Sequence, residues 1–111
     1  LAWPPSVNGY WRNTARGTLL SRKGRQFRSD ALTDIQRQLG SPTPILGRVR
    51  VLLELTPPCR RRRDIDNHAK GVLDAIVKAG VLADDEQVDE LIIRRLGVSK
   101  PGCCDVTITE L

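Results

Sequence analysis

Residues 57–70 read PPCRRRRDIDNHAK and hold the chain's densest set of chemically useful side chains. Four consecutive arginines, Arg60, Arg61, Arg62 and Arg63, run into Asp64 and Asp66, and Lys70 follows four residues after the second aspartate. In extended backbone, side chains i and i+2 point to the same side, so the two carboxylates can converge. Converging carboxylates repel unless a cation sits between them, and a hard ion with oxygen ligands, Mg²⁺ or Mn²⁺, fits best. Beside arginines the natural substrate is a phosphodiester, whose oxygens such an ion polarises while it stabilises charge on the leaving oxygen. Lys70, one helical turn past Asp66, can set a point charge near the attacking water or the scissile phosphate.

A second acidic pair, Asp84 and Asp85, lies beyond the helix expected after Asp66. A helix of about 12 residues is roughly 18 Å long, so its two ends are far apart. Bringing Asp85 to the first pair requires the chain to double back through residues 81–83, or the 84–85 loop to run beside the helix. Spacing alone leaves that open. Plainer roles compete for every one of these residues. Asp64 and Asp66 are suited to capping a helix start, and the arginines can simply neutralise nearby acids. Lys70 and Asp74 have the i, i+4 spacing of a surface pair. Asp84 and Glu86 read as parts of a solvated acidic turn. His68, the one histidine, falls near the helix start and off its apolar stripe, which predicts exposure rather than catalysis. No serine or cysteine has a base partner in the sequence, so nucleophilic catalysis is unsupported.

The elements that must position these groups follow from periodicity. Residues 48–56 (RVRVLLELT) alternate so that Val49, Val51, Leu53 and Leu55 share one face of a strand, which Pro57-Pro58 ends. Asn67 is placed to cap a helix whose Ala69, Val72, Leu73, Ile76 and Val77 form an apolar stripe, closed at Gly80. Upstream, Phe27, Ala31, Leu32, Ile35 and Leu39 recur at helical spacing between Ser21 and Leu39, with Gly40 as the stop. The start of that helix is strongly basic (Arg22, Lys23, Arg25, Arg28), and Gly24 weakens helicity there. Near the N-terminus the chain is stiff at Pro4-Pro5 and turns at Asn8-Gly9. Residues 88–96 and 104–110 read as two further strands joined by a turn at Ser99–Gly102. Strand, crossover helix, strand favours right-handed parallel pairing of 48–56 with 88–96, and the last two strands are expected to form an antiparallel hairpin. The fold class is α+β: a small mixed sheet with two packed helices, in one domain spanning residues 1–111.

The bulk properties agree with a globular domain: 111 residues, 40% hydrophobic and 28% charged. A net charge of +5 and a pI near 9.6 favour an acidic partner, of which nucleic acid is the commonest. Only four aromatic side chains occur, too few for a base-stacking platform. Cys59, Cys103 and Cys104 lack the spacing of a zinc site or a disulfide framework, and read as free thiols in a reducing cytoplasm. No apolar run approaches a membrane span. The opening at Leu1, without a methionine, suggests that the start of a first strand is missing.

Three stretches together resemble the RusA family of Holliday junction resolvases: WPPSVN near the N-terminus, RRRRDIDNHAKGVLDAIVKAGVLADDEQV in the middle, and VTITE at the end. The middle block is the specific one, with R-x-D-[IL]-D-N-x-x-K, then L-D-A-x-x-x-K-A-G, then D-D-x-Q-V. The resemblance implies a small, bacterial or prophage-encoded, homodimeric endonuclease that binds four-way DNA junctions in the cytoplasm. It implies paired symmetric nicks made with Mg²⁺, or with Mn²⁺ in its place, and no organic cofactor. Matched position by position, it puts the acidic active-site residues on Asp64, Asp66 and Asp85 and the essential lysine on Lys70. Asp85 thus joins the first pair through the resemblance, where spacing had left it open. The Pro101–Cys104 stretch matches no family feature.

On this reading Arg60 to Arg63, with Arg22, Lys23, Arg25 and Arg28, contact DNA phosphates, with Arg12, Arg94, Arg95 and Lys100 as further candidates. The different-class alternative is a non-catalytic basic module that binds branched or duplex DNA and uses its acids as caps. A nuclease built on one aspartate and an acid-x-lysine pair is disfavoured, because no such triplet lies in or beside an expected strand.

Overall fold

The alternation at residues 49–55 becomes the centre of the molecule. The computed structural model describes residues 1–111. Strand β3 (Val49–Thr56) buries Val49, Val51, Leu53 and Leu55 completely. Each such side chain taken out of water contributes about 1.5–3 kcal/mol, so this strand anchors the core. The elements before it are α1 (Val7–Tyr10), β1 (Trp11–Thr14), β2 (Gly17–Leu20) and α2 (Arg22–Leu39); after it come α3 (Ala69–Lys78), β4 (Val88–Arg95) and β5 (Cys103–Glu110). The main sheet has the order β4-β3-β5, with β4 parallel and β5 antiparallel to β3. Helices α2 and α3 pack on one another and on the apolar face, through Phe27, Ala31 and Ile35 from the first and Val72, Ala75 and Ile76 from the second. The domain is α+β, as expected. No helix is long and apolar enough to cross a membrane.

The helix expected between Ser21 and Leu39 forms as α2, with Gly40 as its stop. Ser21 caps α2, its hydroxyl accepting the Gly24 N–H at 2.9 Å, and Gly40 ends the helix with φ of 70°. Gly24 has a packing role: a Cβ there would lie 2.3 Å from the Tyr10 carbonyl oxygen. Gly71 of α3 abuts the Tyr10 ring as well, where a Cβ would sit 3.0 Å from Cδ2. The two glycines let both helices close on Tyr10, which is fully buried and donates its hydroxyl to the Asp74 carboxylate. Arg28 holds the same carboxylate oxygen at 2.6 Å. Burial first, and then the Asp74 carboxylate, push the Tyr10 phenol up to about 12, so it stays protonated as the donor.

Other expectations are corrected. The last two strands do not form a hairpin, because β5 lies on the opposite edge of β3 from β4. After β4 the chain crosses the end of β3, with the Leu96 N–H on the Leu55 carbonyl and the Ser99 N–H on that of Pro57. It then returns with Cys103 opposite Thr56 and Glu110 opposite Val49. This places the most apolar strand centrally, where both of its backbone edges are paired, and buries Cys104 fully. Cys59, Cys103 and Cys104 are free thiols, as expected. The Asn8-Gly9 pair is not a simple turn but part of α1, capped by the Ser6 hydroxyl. An unforeseen hairpin, β1 with β2, follows it. Leu1 exchanges two backbone hydrogen bonds of 2.8 Å with Cys104, so the N-terminal residues run beside the start of β5.

Candidate active site

Pro57 and Pro58 stop the β3 ladder, and the chain leaves the end of this central strand as the arginine run. Its four guanidinium groups have different fates. Arg60, Arg61 and Arg62 are exposed. Arg63 folds back as a brace, donating to the Cys59 and Arg61 carbonyls at 3.0 and 3.2 Å and to the Cys59 sulfur at 3.2 Å. Its guanidinium carbon lies 5.3 Å from the centre of the Trp3 ring, within cation–π range. Across from this loop runs the start of α2, and between them lies a polar groove of about 800 Å³ lined by Lys23, Gln26, Arg61, Arg62, Asp64 and Asn67, among others. The two basic segments singled out in the sequence thus face one space. Not all of their charges are free for a ligand. Arg28 is committed to Asp74, and Arg25 reaches the Leu20 carbonyl at 3.0 Å.

Asp64 has extended backbone, with φ −92° and ψ 123°, but Ile65–His68 forms a 3₁₀ turn. Asp66 therefore sits in a helical turn and not in continuous extended chain, which corrects the expected i, i+2 geometry. Asn67 lies inside that turn and caps nothing; α3 begins at Ala69 with no side-chain cap. His68 is buried, contrary to expectation. Its Nδ1 lies 2.9 Å from the Pro4 carbonyl oxygen, an acceptor only, so Nδ1 carries the hydrogen. Trp3 packs on its ring at 4.8 Å, which makes His68 a peg for the N-terminal segment.

Neither Asp64 nor Asp66 joins an ion pair, although four arginines adjoin them. Asp64, at the N-cap position of the 3₁₀ turn, makes no capping hydrogen bond. Both carboxylates are exposed and uncommitted. The simple roles of cap and neutralising partner are thereby removed.

The route of Asp85 to this region is now visible. Helix α3 is ten residues long, about 15 Å. Gly80, with φ of 82°, reverses the chain, and the Val81 N–H returns to the Ile76 carbonyl at 3.0 Å. Leu82 is buried and bridges to Ile45, and a second 3₁₀ turn, Asp85–Gln87, follows. The doubled-back chain brings Asp85 to the other end of α3, where the Lys70 ammonium meets its carboxylate at 3.3 Å. Lys70 therefore pairs with Asp85 and not with Asp74, which is held by Tyr10 and Arg28.

Asp84 and Glu86 are not merely solvated. The Asp84 carboxylate accepts the Glu86 N–H at 3.0 Å, which is the main reason it is held below the usual carboxylate range. Glu86 pairs with Arg48 at 3.0 Å on the surface. Three residues that sequence reasoning did not single out matter here: Trp3 and Arg48, which brace the two acidic loops, and Gln87. Gln87 carried a signal as the Q of D-D-x-Q-V and Trp3 as the W of WPPSVN, while Arg48 carried none.

No three acidic, histidine or cysteine side chains stand close enough together to hold a metal ion. The structure brings together Lys70 and Asp85, and separately Asp64 with the arginine groove.

A family model described as Endodeoxyribonuclease RusA matches residues 2–109. The chain belongs to the RusA family of endodeoxyribonucleases. It is 41% identical over 112 residues to a crossover junction endodeoxyribonuclease of Enterobacteria phage HK97, covering 100% of this chain and 92% of that protein. Proteins of the same name from Shigella sonnei, at 38% identity, and from Escherichia coli strain K12, at 37%, match over the same shares of both chains.

Proposed function

We propose that this chain resolves four-way DNA junctions by paired, symmetric phosphodiester cleavage, using Mg²⁺ or, in its place, Mn²⁺. The observation that carries the reading is the exposed, unpaired state of Asp64 and Asp66 beside uncommitted arginines. In a protein that only binds DNA, such carboxylates repel the backbone that the arginines attract. They gain a role when a cation and a phosphate join them. The relatives' names, crossover junction endodeoxyribonucleases, support a four-way junction as the substrate.

Asp64, Asp66 and Asp85, which do not form one cluster in the fold as it stands, would hold the ion once it draws them together. The donor chemistry fits a hard dication: three carboxylates, none of them sealed in the core, with only Asp85 paired and that to a half-exposed lysine. When bound, the ion supplies Lewis acidity toward the phosphate and offsets charge on the leaving oxygen. The remaining work falls to the chain. Arg61, Arg62 and Lys23, which line the groove, would take backbone phosphates there, with the exposed Arg60 and Arg22 as further phosphate contacts, which makes binding strongly salt-dependent. Lys70, exchanging Asp85 for substrate, would place its ammonium at the scissile phosphate. A two-fold homodimer, acting in the cytoplasm on recombination intermediates, would present two such sites to opposed strands.

Incubation with a mobile four-way junction and with linear duplex of the same sequence, in Mg²⁺, Mn²⁺ or EDTA, tests this. Opposed nicks in the junction are expected with either metal, none in EDTA, and little cutting of duplex. Equal cutting of both substrates leaves a nuclease but not a resolvase. Junction binding without cleavage in either metal would favour the non-catalytic module.

A further inference from the structure

Gln87 is one of only two buried polar side chains, 6% exposed, and its amide is fully used. Its Oε1 accepts the Ala83 and Asp84 N–H groups at 2.9 and 2.8 Å. Its Nε2 donates to the Ile45 and Gly47 carbonyls at 2.7 and 2.8 Å. Both lone pairs and both hydrogens are therefore placed, on backbone from two segments that are far apart in sequence. One segment leads into β3; the other is the turn that presents Asp85. The amide cannot be reversed, because that would set oxygen against two carbonyls and NH₂ against two N–H groups.

The surrounding bonds act on the same turn. The Ile45 N–H reaches the Val81 carbonyl at 3.0 Å, and the Gln87 N–H reaches that of Asp84 at 3.2 Å. From the outer side, Arg48 donates to the Glu86 carbonyl at 2.7 Å and to Asp89 at 2.8 Å. Asp84 faces back into the turn, and Glu86 faces Arg48. Asp85 alone reaches across to α3, where it meets Lys70.

We infer that Gln87 is a positioning residue for the reaction: its four backbone hydrogen bonds lock the 83–87 turn to the entry of β3 and thereby aim Asp85 at Lys70. The inference rests on the reading of Asp85 as an active-site acid. Gln87 itself is buried and touches neither substrate nor ion. An isolated 3₁₀ turn of three residues has little stability of its own, so the aim of its side chains depends on such external bonds.

Two variants test the inference. Gln87→Met keeps the volume and removes all four bonds; Gln87→Glu keeps the acceptor oxygen and turns a second oxygen on the Ile45 and Gly47 carbonyls. The first measurement needs no metal: NMR of the Asp85 carboxyl carbon and its contact with the Lys70 ammonium. Wild type should show the contact, and both variants should lose it with a displaced Asp85 resonance. The second is single-turnover junction cleavage against Mn²⁺ concentration, with junction affinity and melting temperature measured alongside. Both variants should require about tenfold more Mn²⁺ and cleave about 10²-fold more slowly, with junction affinity within about twofold of wild type. An Ile35→Val control in the core of α2, away from this turn and destabilised to a similar degree, should keep the wild-type Mn²⁺ requirement. If Gln87→Met fails to fold, Gln87→Glu decides alone. An Asp85–Lys70 contact and resonance unchanged in a folded Gln87 variant would overturn the inference. Loss of that contact in a protein whose wild type neither binds Mn²⁺ nor cuts would leave the positioning intact and remove the metal reading instead.

Discussion

Asp66→Asn should bind a four-way junction at least as tightly as wild type and cleave it at least about 10³-fold more slowly, a loss of about 4 kcal/mol in transition-state stabilisation. The substitution keeps the shape of the side chain and removes one negative charge from a surface that, on the proposed reading, faces phosphates. Binding has no contact to lose, because Asp66 pairs with none of the arginines beside it. Folding has little to lose either. Asp66 is exposed, and substitution at such a site changes stability by no more than about 0.5 kcal/mol. Gel shift in EDTA, thermal melting and single-turnover cleavage measure the three quantities on one preparation. A variant that still cuts at near wild-type rate would return Asp66 to the surface.

Lys70→Ala should lower cleavage by about 10²–10³-fold, with the melting temperature and junction affinity almost unchanged. Magnitude separates the two roles open to this lysine. Its pair with Asp85 is half exposed on both sides, 52% and 39%, and such pairs stabilise a fold by about 0–1 kcal/mol. A purely structural lysine at this position would therefore leave cleavage nearly intact. A lysine that gives up Asp85 for the scissile phosphate removes charge stabilisation from the transition state when it is lost. Lys70→Arg should recover only part of the rate, because a planar guanidinium does not reproduce a compact ammonium. Single-turnover rates at saturating protein, compared with equilibrium binding, distinguish the two roles.

What periodicity could show, and what it could not, divides along the range of the interactions. The β3 alternation and the stripes of α2 and α3 are local patterns, each resting on one buried face, and they stand in the structure nearly as expected. The β1–β2 hairpin was invisible because its residues are mostly exposed and carry no alternating apolar pattern. His68 was misplaced because its burial depends on Trp3 and Pro4, some 64 residues earlier in the chain. The position of β5, on the far edge of β3 from β4, has a similar non-local cause. Val106 and Ile108 suit either edge of the sheet, and only the crossing at Pro57 and Ser99 selects one.

The site shows the same division. Asp64, Asp66 and Lys70 lie within seven residues and could be read together. Asp85 came only from the family pattern, since its approach depends on the Gly80 reversal and on the Gln87 amide joining two distant loops. The expected geometry of the aspartate pair failed because a 3₁₀ turn begins between Asp64 and Asp66. Arg28 has the charge and position of a phosphate contact but is spent inside the fold, on an aspartate 46 residues away.

On the proposed reading, Asp64, Asp66 and Asp85 serve one metal ion. Mn²⁺ titration of the DNA-free protein, followed by electron paramagnetic resonance, tests it most directly. Wild type should bind Mn²⁺, and Asp64→Asn, Asp66→Asn and Asp85→Asn should each weaken binding by about tenfold or more. The Asp64→Asn, Asp85→Asn double variant should lose less than the sum of the single losses, as residues of one site do. Wild-type Mn²⁺ affinity in Asp85→Asn, with the loss confined to the other two, would contradict the claim.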